Sequence, residues 1–341
     1  MDRQCAAGGY GSGGGGDLFL ASSKVTPFYS PLHAKFDVSS KMRDSGRQSG
    51  SKCTVTVSFN SVPYHSQIAA IDDSGRVFWN DHAPQVRLPQ SPLLPSAFRL
   101  QNPLPHLNHG PNTLTLTLNR THLPPSSIES RAFFWELPAL HSRRLVVVDI
   151  DGTITRSDVG GHVLPLFGMS WAQPGVVSLM RAIASNGYHI VYLTSRPLFL
   201  ADRTRSYLAR LGMPLAPVVT SPDSALKSLH REITGFAHVF KSSVLAGISD
   251  VFRHCDGGYC ASASSPSASG ATPAASAFHS AFGNRATDAK AYAASGIEPH
   301  RTFIIDARGR VVCADGAIHV SGGSYAAMLL SVNELFPPMS M

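Results

Sequence analysis

The pattern of apolar and polar residues changes its period near residue 140. Upstream, short runs of alternating or β-branched residues stand between turn-forming residues, at 17–22, 31–38, 52–59 and 75–80. Two further runs, TLTLTLNR at 113–120 and SRAFFWELP at 130–138, have the same character. A period of two is typical of strands that bury one face. The upstream half is therefore predicted to form a small β-sandwich.

Downstream of residue 140, apolar strands alternate with helical segments. Strands are predicted at 145–150, 189–195 and 216–221, around 281–283 and within 301–309. Helices are predicted at 174–186, 201–212, 224–236 and 241–252. This alternation indicates a parallel sheet covered by helices. The expected fold class is α/β, with a Rossmann-like parallel-sheet domain joined to the β-sandwich.

Three segments lack either period. Residues 1–16 are rich in glycine and are expected to be flexible. Residues 81–112 hold many of the 24 prolines and are expected to be a connector, and residues 255–277 are a Ser/Ala/Gly/Pro run expected to be a disordered surface insertion. The predicted domains are then the β-sandwich at 17–140 and the α/β domain at 141–335.

The composition is that of a folded protein. Of the 341 residues, 43% are hydrophobic and 15% are charged, which is enough apolar material for a core. The net charge of +7 suits a nucleic acid, an anionic membrane surface or a phosphorylated substrate, and does not choose among them. The five cysteines match no zinc or disulfide spacing, so reduced thiols in a reducing compartment are expected.

No segment has the pattern of a secretory or membrane-spanning sequence. The first twenty residues contain no apolar core of a signal peptide. No stretch approaches about 18 uninterrupted apolar residues. Any contact with a membrane is therefore expected to be peripheral.

Polar residues follow several of the predicted strands. They are Asp149, Asp151 and Thr153 after the first strand, Thr194, Ser195 and Arg196 after the second, and Asn284, Arg285 and Asp288 after a later one, while Lys241 opens a predicted helix. In an open parallel sheet, ligands bind beyond the carboxyl ends of the strands. We therefore expect these side chains to converge at one edge of the sheet.

Two aspartates one residue apart need a compensating partner. Like charges this close are unfavourable unless a cation joins them or one carboxylate takes a proton. Ligands that offer only oxygen atoms suit Mg²⁺. A bound Mg²⁺ would stabilise the cluster and could hold a phosphate group against a nucleophile. The pattern therefore favours a magnesium site that could hold a phosphate over the plain alternative, a strand-end turn with solvated acids.

The motifs at this edge resemble a known family. The string DIDGT (149–153) resembles the first motif of haloacid-dehalogenase-like (HAD) phosphatases, and the longer string DIDGTITRSDVGGHVLP (149–165) is similar to the catalytic domain of lipins. YLTSRPLFLADRTRSYL (192–208) and AFGNRATDAKAY (281–292) resemble later lipin blocks in the same order. Upstream, FYSPLHAKFDV (28–38) is similar to the amino-terminal lipin segment. The resemblance implies a HAD-like catalytic domain and an immunoglobulin-like sandwich.

The resemblance also implies roles for the residues that match its motifs. Asp149 would be the nucleophile, and Asp151 would be the general acid and then the general base. Thr194 would bind a phosphoryl oxygen. Lys241 would neutralise charge on the nucleophile and the phosphoryl group.

A magnesium site and a substrate-binding set are implied in the same way. Asn284 and Asp288 would complete a Mg²⁺ site with Asp149 and the backbone carbonyl of Asp151. The further substrate-binding candidates are Gly152, Thr153, Ser195, Arg196 and Arg285. Asparagine at position 284, where many HAD relatives have aspartate, agrees with the lipin pattern.

Each residue has a plain structural alternative when taken alone. Thr194 and Ser195 could cap a helix. Lys241 could be a solvated lysine, and Asn284 with Asp288 could be a turn and a helix start. Arg196 and Arg285 could be surface arginines. Only the order of these residues and their places after successive strands favour one common site.

The function implied by the resemblance is that of a Mg²⁺-dependent phosphatidate phosphatase, which converts phosphatidic acid to diacylglycerol through an aspartyl-phosphate. Such an enzyme would be cytoplasmic and peripheral on the endoplasmic reticulum or another membrane, with a nuclear location as a further option. Two alternatives stay open: a phosphatidate-sensing module without turnover, and a phosphatase for a soluble phosphomonoester. Direct nucleic-acid binding is not expected, since only the net charge favours it.

Overall fold

The computed structural model describes most of the α/β half and the strands of the upstream half. The described residues are 14–15, 18–22, 27–29, 34–35, 53–71, 77–79, 107–120, 123–136, 144–156, 172–221, 237–255, 277–316 and 323–339. The predicted helix at 224–236 and nearly all of the predicted insertion at 255–277 lie outside these residues. The domain boundaries at 16 and 140 stay predictions.

The strands of the described residues form two larger sheets and a two-stranded ribbon. The upstream strands are β1 (Gly14–Gly15), β2 (Leu18–Ser22), β3 (Pro27–Tyr29), β4 (Ala34–Lys35), β5 (Cys53–Phe59), β6 (Val62–Ile71), β7 (Val77–Trp79), β8 (Gly110–Arg120) and β9 (Leu123–Glu136). The downstream strands are β10 (Leu145–Asp149), β11 (His189–Pro197), β12 (Val218–Ser221), β13 (Phe278–Gly283), β14 (Thr302–Ile305) and β15 (Val311–Cys313).

Helices accompany the downstream strands. They are α1 (Val176–Ser185), α2 (Ala201–Leu211), α3 (Ala237–Cys255), α4 (Ala286–Ala294), α5 (Tyr325–Leu330) and α6 (Val332–Leu335), with 3₁₀ turns at Leu198–Leu200 and Pro299–Arg301. Helix α2 ends at Gly212, whose positive φ of 75° is the left-handed conformation that glycine favours. None of the helices in the described ranges has the length and apolarity needed to cross a bilayer.

The upstream strands form a seven-stranded sheet in the order β3-β2-β9-β8-β5-β6-β7, and β1 pairs with β4 in a separate ribbon. Strand β6 was not expected from the sequence. It pairs antiparallel with β5 through a tight turn at Asn60 and Ser61, which both have positive φ. The immunoglobulin-like sandwich stays a prediction.

The downstream half contains the expected parallel sheet. Its order is β12-β11-β10-β13-β14-β15, with β15 antiparallel at one edge. Strand β10 lies between β11 and β13 and is parallel to both. The prediction of an α/β domain with a parallel sheet is therefore confirmed, and the arrangement is compatible with a Rossmann-like domain.

Strand β10 lies in the interior of the sheet, and every one of its residues is buried. On one face, Val146 and Val148 pack into a cluster with residues of α1 and α5. On the other face, Leu145 and Val147 pack with residues of α3 and with Phe133 of β9. An uninterrupted apolar run is what a strand covered on both faces needs. This packing holds the end of β10, where Asp149 stands, in a fixed place.

Candidate active site

The loop after β10 is tightly hydrogen-bonded. Gly152 has a positive φ of 82°, which glycine adopts without steric cost. Its backbone N–H donates to Thr155 Oγ1 at 2.9 Å, and the Tyr325 hydroxyl donates to the carbonyl of Thr153 at 3.1 Å. Tyr325 is itself buried. These contacts order the segment that carries the two aspartates.

Asp149 lies in a buried ion-pair network with Lys241 and Asp288. The Lys241 Nζ donates to Asp149 Oδ1 at 2.6 Å and to Asp288 Oδ1 at 2.7 Å. All three side chains are at most 6% exposed. The hydroxyl of Thr153 donates to the other oxygen of Asp149 at 3.1 Å. The lysine therefore connects the end of β10 to helix α4.

The second oxygen of Asp288 caps the start of α4. It accepts hydrogen bonds from the backbone N–H groups of Asn284 and Arg285, both at 3.1 Å. Gly283 lies directly beneath it, because a Cβ at position 283 would stand 2.6 Å from the Asp288 Cβ. Glycine is thus required before Asn284 for Asp288 to approach the strand.

Burial and charge act in opposite directions on the ion-pair network. The pKa of Asp149 is raised to about 7: burial and the Asp288 carboxylate raise it, and the Lys241 ammonium lowers it in part. Burial alone would lower the pKa of Lys241, but the two carboxylates together raise it above its ordinary value. Lys241 therefore stays charged, and the ionised state of Asp149 depends on cations beside it.

Asp151 has a different set of partners. Arg196 holds its carboxylate with two nitrogens: Nη2 lies 2.7 Å from Oδ1, and Nε lies 3.0 Å from Oδ2. The Thr194 hydroxyl donates to Asp151 Oδ2 at 3.1 Å. On its far side, Arg196 Nη1 donates to Thr204 Oγ1 of α2 at 3.3 Å. The two aspartates of the motif therefore each face their own cation.

An open cleft lies over these groups. It is lined by Asp149, Asp151, Ser195, Lys241, Asn284, Arg285, Thr287 and Asp288. The structure thus brings seven predicted residues together, Ser195 among them, with one residue that the sequence did not indicate, Thr287. A threonine in the first turn of a helix carries no signal of its own.

Four predicted residues support this cleft rather than line it. The side chains of Thr153 and Thr194 hydrogen-bond to the two aspartates, Gly152 shapes the loop, and Arg196 binds Asp151. Thr204, which binds Arg196, was not expected. It is fully buried, and its contact depends on the position of α2, which packs against β12 and the 3₁₀ turn Leu198–Leu200.

The donor set of the cleft fits a hard divalent cation. Asp149, Asp288 and Asn284 offer carboxylate and amide oxygens at one place. Within the described residues, no three His, Cys, Asp or Glu side chains form a cluster that could hold a metal ion. A cation here would therefore need the Asn284 amide or a backbone carbonyl besides the two carboxylates. Such mixed oxygen ligands are those that Mg²⁺ accepts.

Comparison with known proteins agrees with this geometry. Residues 93–337 match the family described as LNS2 (Lipin/Ned1/Smp2). The chain is 33% identical to phosphatidate phosphatase PAH1 of Arabidopsis thaliana over 242 residues, which is 69% of this chain and 24% of that protein. It is 37% identical to nuclear elongation and deformation protein 1 of Schizosaccharomyces pombe over 218 residues, 61% of this chain and 30% of that protein.

A human relative has similar coverage. The identity to human phosphatidate phosphatase LPIN1 is 30% over 237 residues, 68% of this chain and 24% of that protein. The chain thus spans about a quarter of the length of these curated relatives. The family match covers well over half of the chain and includes every residue of the cleft. The chain therefore belongs to the LNS2 (Lipin/Ned1/Smp2) family.

Proposed function

We propose that this chain is a Mg²⁺-dependent phosphatidate phosphatase, which hydrolyses phosphatidic acid to diacylglycerol and phosphate. The observation that carries the proposal is the separate environment of the two aspartates. Asp149 is buried against Lys241, while Asp151 stands at the cleft with Thr194 and Arg196. Two carboxyl groups with different partners suit two different roles in one reaction. The names of the Arabidopsis and human relatives, both phosphatidate phosphatases, supply the substrate.

In the first step, a carboxylate oxygen of Asp149 attacks phosphorus. The bond from phosphorus to the glycerol oxygen breaks, and Asp151 gives its proton to that oxygen, so diacylglycerol leaves and an aspartyl-phosphate remains. In the second step, Asp151 takes a proton from water as the water oxygen attacks phosphorus. Phosphate leaves and the carboxylate of Asp149 is restored. Lys241 balances negative charge on Asp149 throughout.

The remaining cleft residues serve binding. Arg285, Ser195 and Thr287 line the cleft and offer donors to the phosphate oxygens. Asp149, Asn284 and Asp288, with the carbonyl of Asp151, are the proposed Mg²⁺ ligands. When bound there, Mg²⁺ would supply positive charge to a phosphate dianion in the cleft.

The proposed substrate places the protein at a membrane surface. Phosphatidic acid is a bilayer lipid, so the protein would associate peripherally, in the cytoplasm at the endoplasmic reticulum or another membrane, or in the nucleus. We further propose that the seven-stranded sheet and the β1–β4 ribbon belong to an immunoglobulin-like sandwich at 17–140, beside a catalytic domain at 141–335. A sensing module without turnover is the less favoured function, because both aspartates are present and differently partnered.

Phosphate release from phosphatidic acid in mixed micelles tests the proposal. Wild type is expected to release phosphate with Mg²⁺ and not with EDTA. Asp149→Asn is expected to lose this activity while its thermal unfolding stays cooperative, and Asp306→Asn, a change at an exposed turn, is the matched control. Activity retained in purified Asp149→Asn would refute the assignment of the nucleophile. Wild type that binds phosphatidate without turnover would support the sensing module instead.

A further inference from the structure

An aromatic side chain stands exposed at the same edge of the sheet as the cleft. The 3₁₀ turn Leu198–Leu200 directly follows β11. Leu198 and Leu200 are 2% and 8% exposed, whereas Phe199 between them is 40% exposed. The two buried leucines fix the turn, so Phe199 is held outward by the fold. The β1–β4 ribbon contacts this turn and leaves Phe199 accessible beside it.

The position of Phe199 distinguishes it from the other exposed apolar residues of the described ranges. These are Val62, Leu215, Val312 and Leu330, none of which is aromatic. Leu215 precedes β12 and therefore lies at the opposite, amino-terminal edge of the parallel sheet. Phe199 follows Ser195 of the cleft by four residues, a span of at most about 14 Å. An apolar ring thus stands near the cleft, at the edge that would receive a lipid headgroup.

Helix α2 follows Phe199 and carries positive charge on its exposed side. The exposed stripe of this helix consists of Asp202, Arg203, Ser206, Ala209 and Arg210. Its acidic member is compensated, because the carboxylate of Asp202 pairs with the buried guanidinium of Arg205. Arg203 and Arg210 make no ion pair with any other described residue. The exposed side of α2 therefore has a net positive charge.

We propose that Phe199 and Arg203 form a docking surface for an anionic lipid bilayer. The ring of Phe199 would enter the boundary between headgroups and acyl chains, and Arg203 would meet the anionic headgroups. Charge complementarity and the nearby cleft favour a bilayer over a protein partner. The inference rests on the proposed lipid substrate and extends it, because it names the residues that present the cleft to the membrane.

Vesicle flotation of the full chain tests the docking surface directly. The vesicles contain phosphatidylcholine with or without a minor fraction of phosphatidic acid. Phe199→Ser is expected to weaken binding to the anionic vesicles by about five- to tenfold, the scale for removing a partly buried phenyl ring. Arg203→Gln is expected to weaken binding at low salt and much less at high salt. Leu215→Ser, at a more exposed residue on the opposite edge, is expected to bind as wild type does.

Kinetics separate docking from catalysis. On mixed micelles, Phe199→Ser is expected to raise the KM for surface phosphatidate by a similar factor. On a short-chain phosphatidate below its critical micelle concentration, its rate should equal that of wild type, since Phe199 does not line the cleft. If Phe199→Ser and Leu215→Ser lose the same vesicle affinity, or neither loses any, the docking surface is refuted while the proposed reaction stands. If wild type binds the anionic vesicles and Phe199→Ser does not, but wild type releases no phosphate, the proposed reaction fails and the docking surface stands.

Discussion

Replacing Arg196 by lysine tests how the second aspartate is held. The arginine contacts both oxygens of Asp151 through two nitrogens, and a third nitrogen reaches Thr204. Lysine keeps the positive charge but offers its donors from a single nitrogen, so it cannot reproduce the two-point contact. The expected consequence is an Asp151 carboxyl group that keeps a charged neighbour and loses its fixed orientation.

The size of the effect follows from the lost contacts. A hydrogen bond to a charged group contributes about 1.5–3 kcal/mol, and one such bond to Asp151 disappears in the variant. If that bond orients Asp151 in the transition state, kcat falls about 10- to 150-fold. The change in KM should be small, because Arg196 does not line the cleft. The loss of folding free energy should be about 1 kcal/mol, since the variant leaves no buried charge without a partner.

The assay compares two leaving groups. Hydrolysis of phosphatidic acid releases a glycerol alkoxide, which needs a proton from Asp151, whereas an aryl phosphate releases a stable phenolate. The loss in Arg196→Lys should therefore be larger for phosphatidic acid than for the aryl phosphate. Arg210→Lys, at an exposed arginine of helix α2, is the control and should keep both activities.

Two results would contradict this reasoning. Equal losses on both substrates would mean that Arg196 does not assist proton donation from Asp151 to the leaving group, since water activation in the second step is common to both substrates. Full additivity of Arg196→Lys with Asp151→Asn would mean that Arg196 does not act through Asp151, since a residue that only positions Asp151 has nothing left to position in that background.

Two further changes test the packing beneath the site and the burial of a strand. In Gly283→Ala, the new Cβ would meet the Asp288 Cβ at 2.6 Å. The urea midpoint should therefore fall by the equivalent of about 1–3 kcal/mol, and activity should fall with it. An unchanged midpoint would show that α4 can shift away from the new methyl group without loss of stability. Burial lowers the pKa of His189 to about 4, below its unfolded value, so stability is full above about pH 6.5 and is lost as the pH falls towards 4. His189→Gln should remove about 2 kcal/mol of the wild-type loss between about pH 7 and pH 5 in urea unfolding, and parallel curves would refute this.

Sequence patterns predicted the downstream fold well because its strands are buried on both faces. The run LVVVD has no polar interruption, and it forms the central strand β10. Strand β6 was missed for the opposite reason: VPYHSQIAAI contains polar residues and a proline. Its pairing with β5 is what makes it a strand, and a pairing between two segments is a property of the tertiary structure.

The candidate site was predictable in its membership and not in its contacts. The acids and the amide could be recognised because each follows a strand or adjoins a helix start. The prediction that Lys241 opens a helix was wrong, because α3 begins at Ala237 and Lys241 lies in its second turn. The partners of Arg196 could not be predicted, because an arginine side chain reaches several neighbours. Only the tertiary positions of α2 and of the loop after β10 select Thr204 and Asp151. The contacts of Arg205 with Asp202 and with Ser130 of β9 likewise depend on tertiary packing.

The charges of the cleft explain why a buried strand ends in two aspartates. Three carboxylates there, including Asp288, are matched by three cations: Lys241 and Arg196 in ion pairs, and Arg285 at the lining. The protein groups alone are therefore close to neutral, so the pair of aspartates is tolerated. A phosphate dianion would bring an uncompensated double negative charge into this cleft, at a high cost in free energy. The proposed divalent cation would restore neutrality, which is the physical reason to expect that EDTA abolishes turnover while the fold survives.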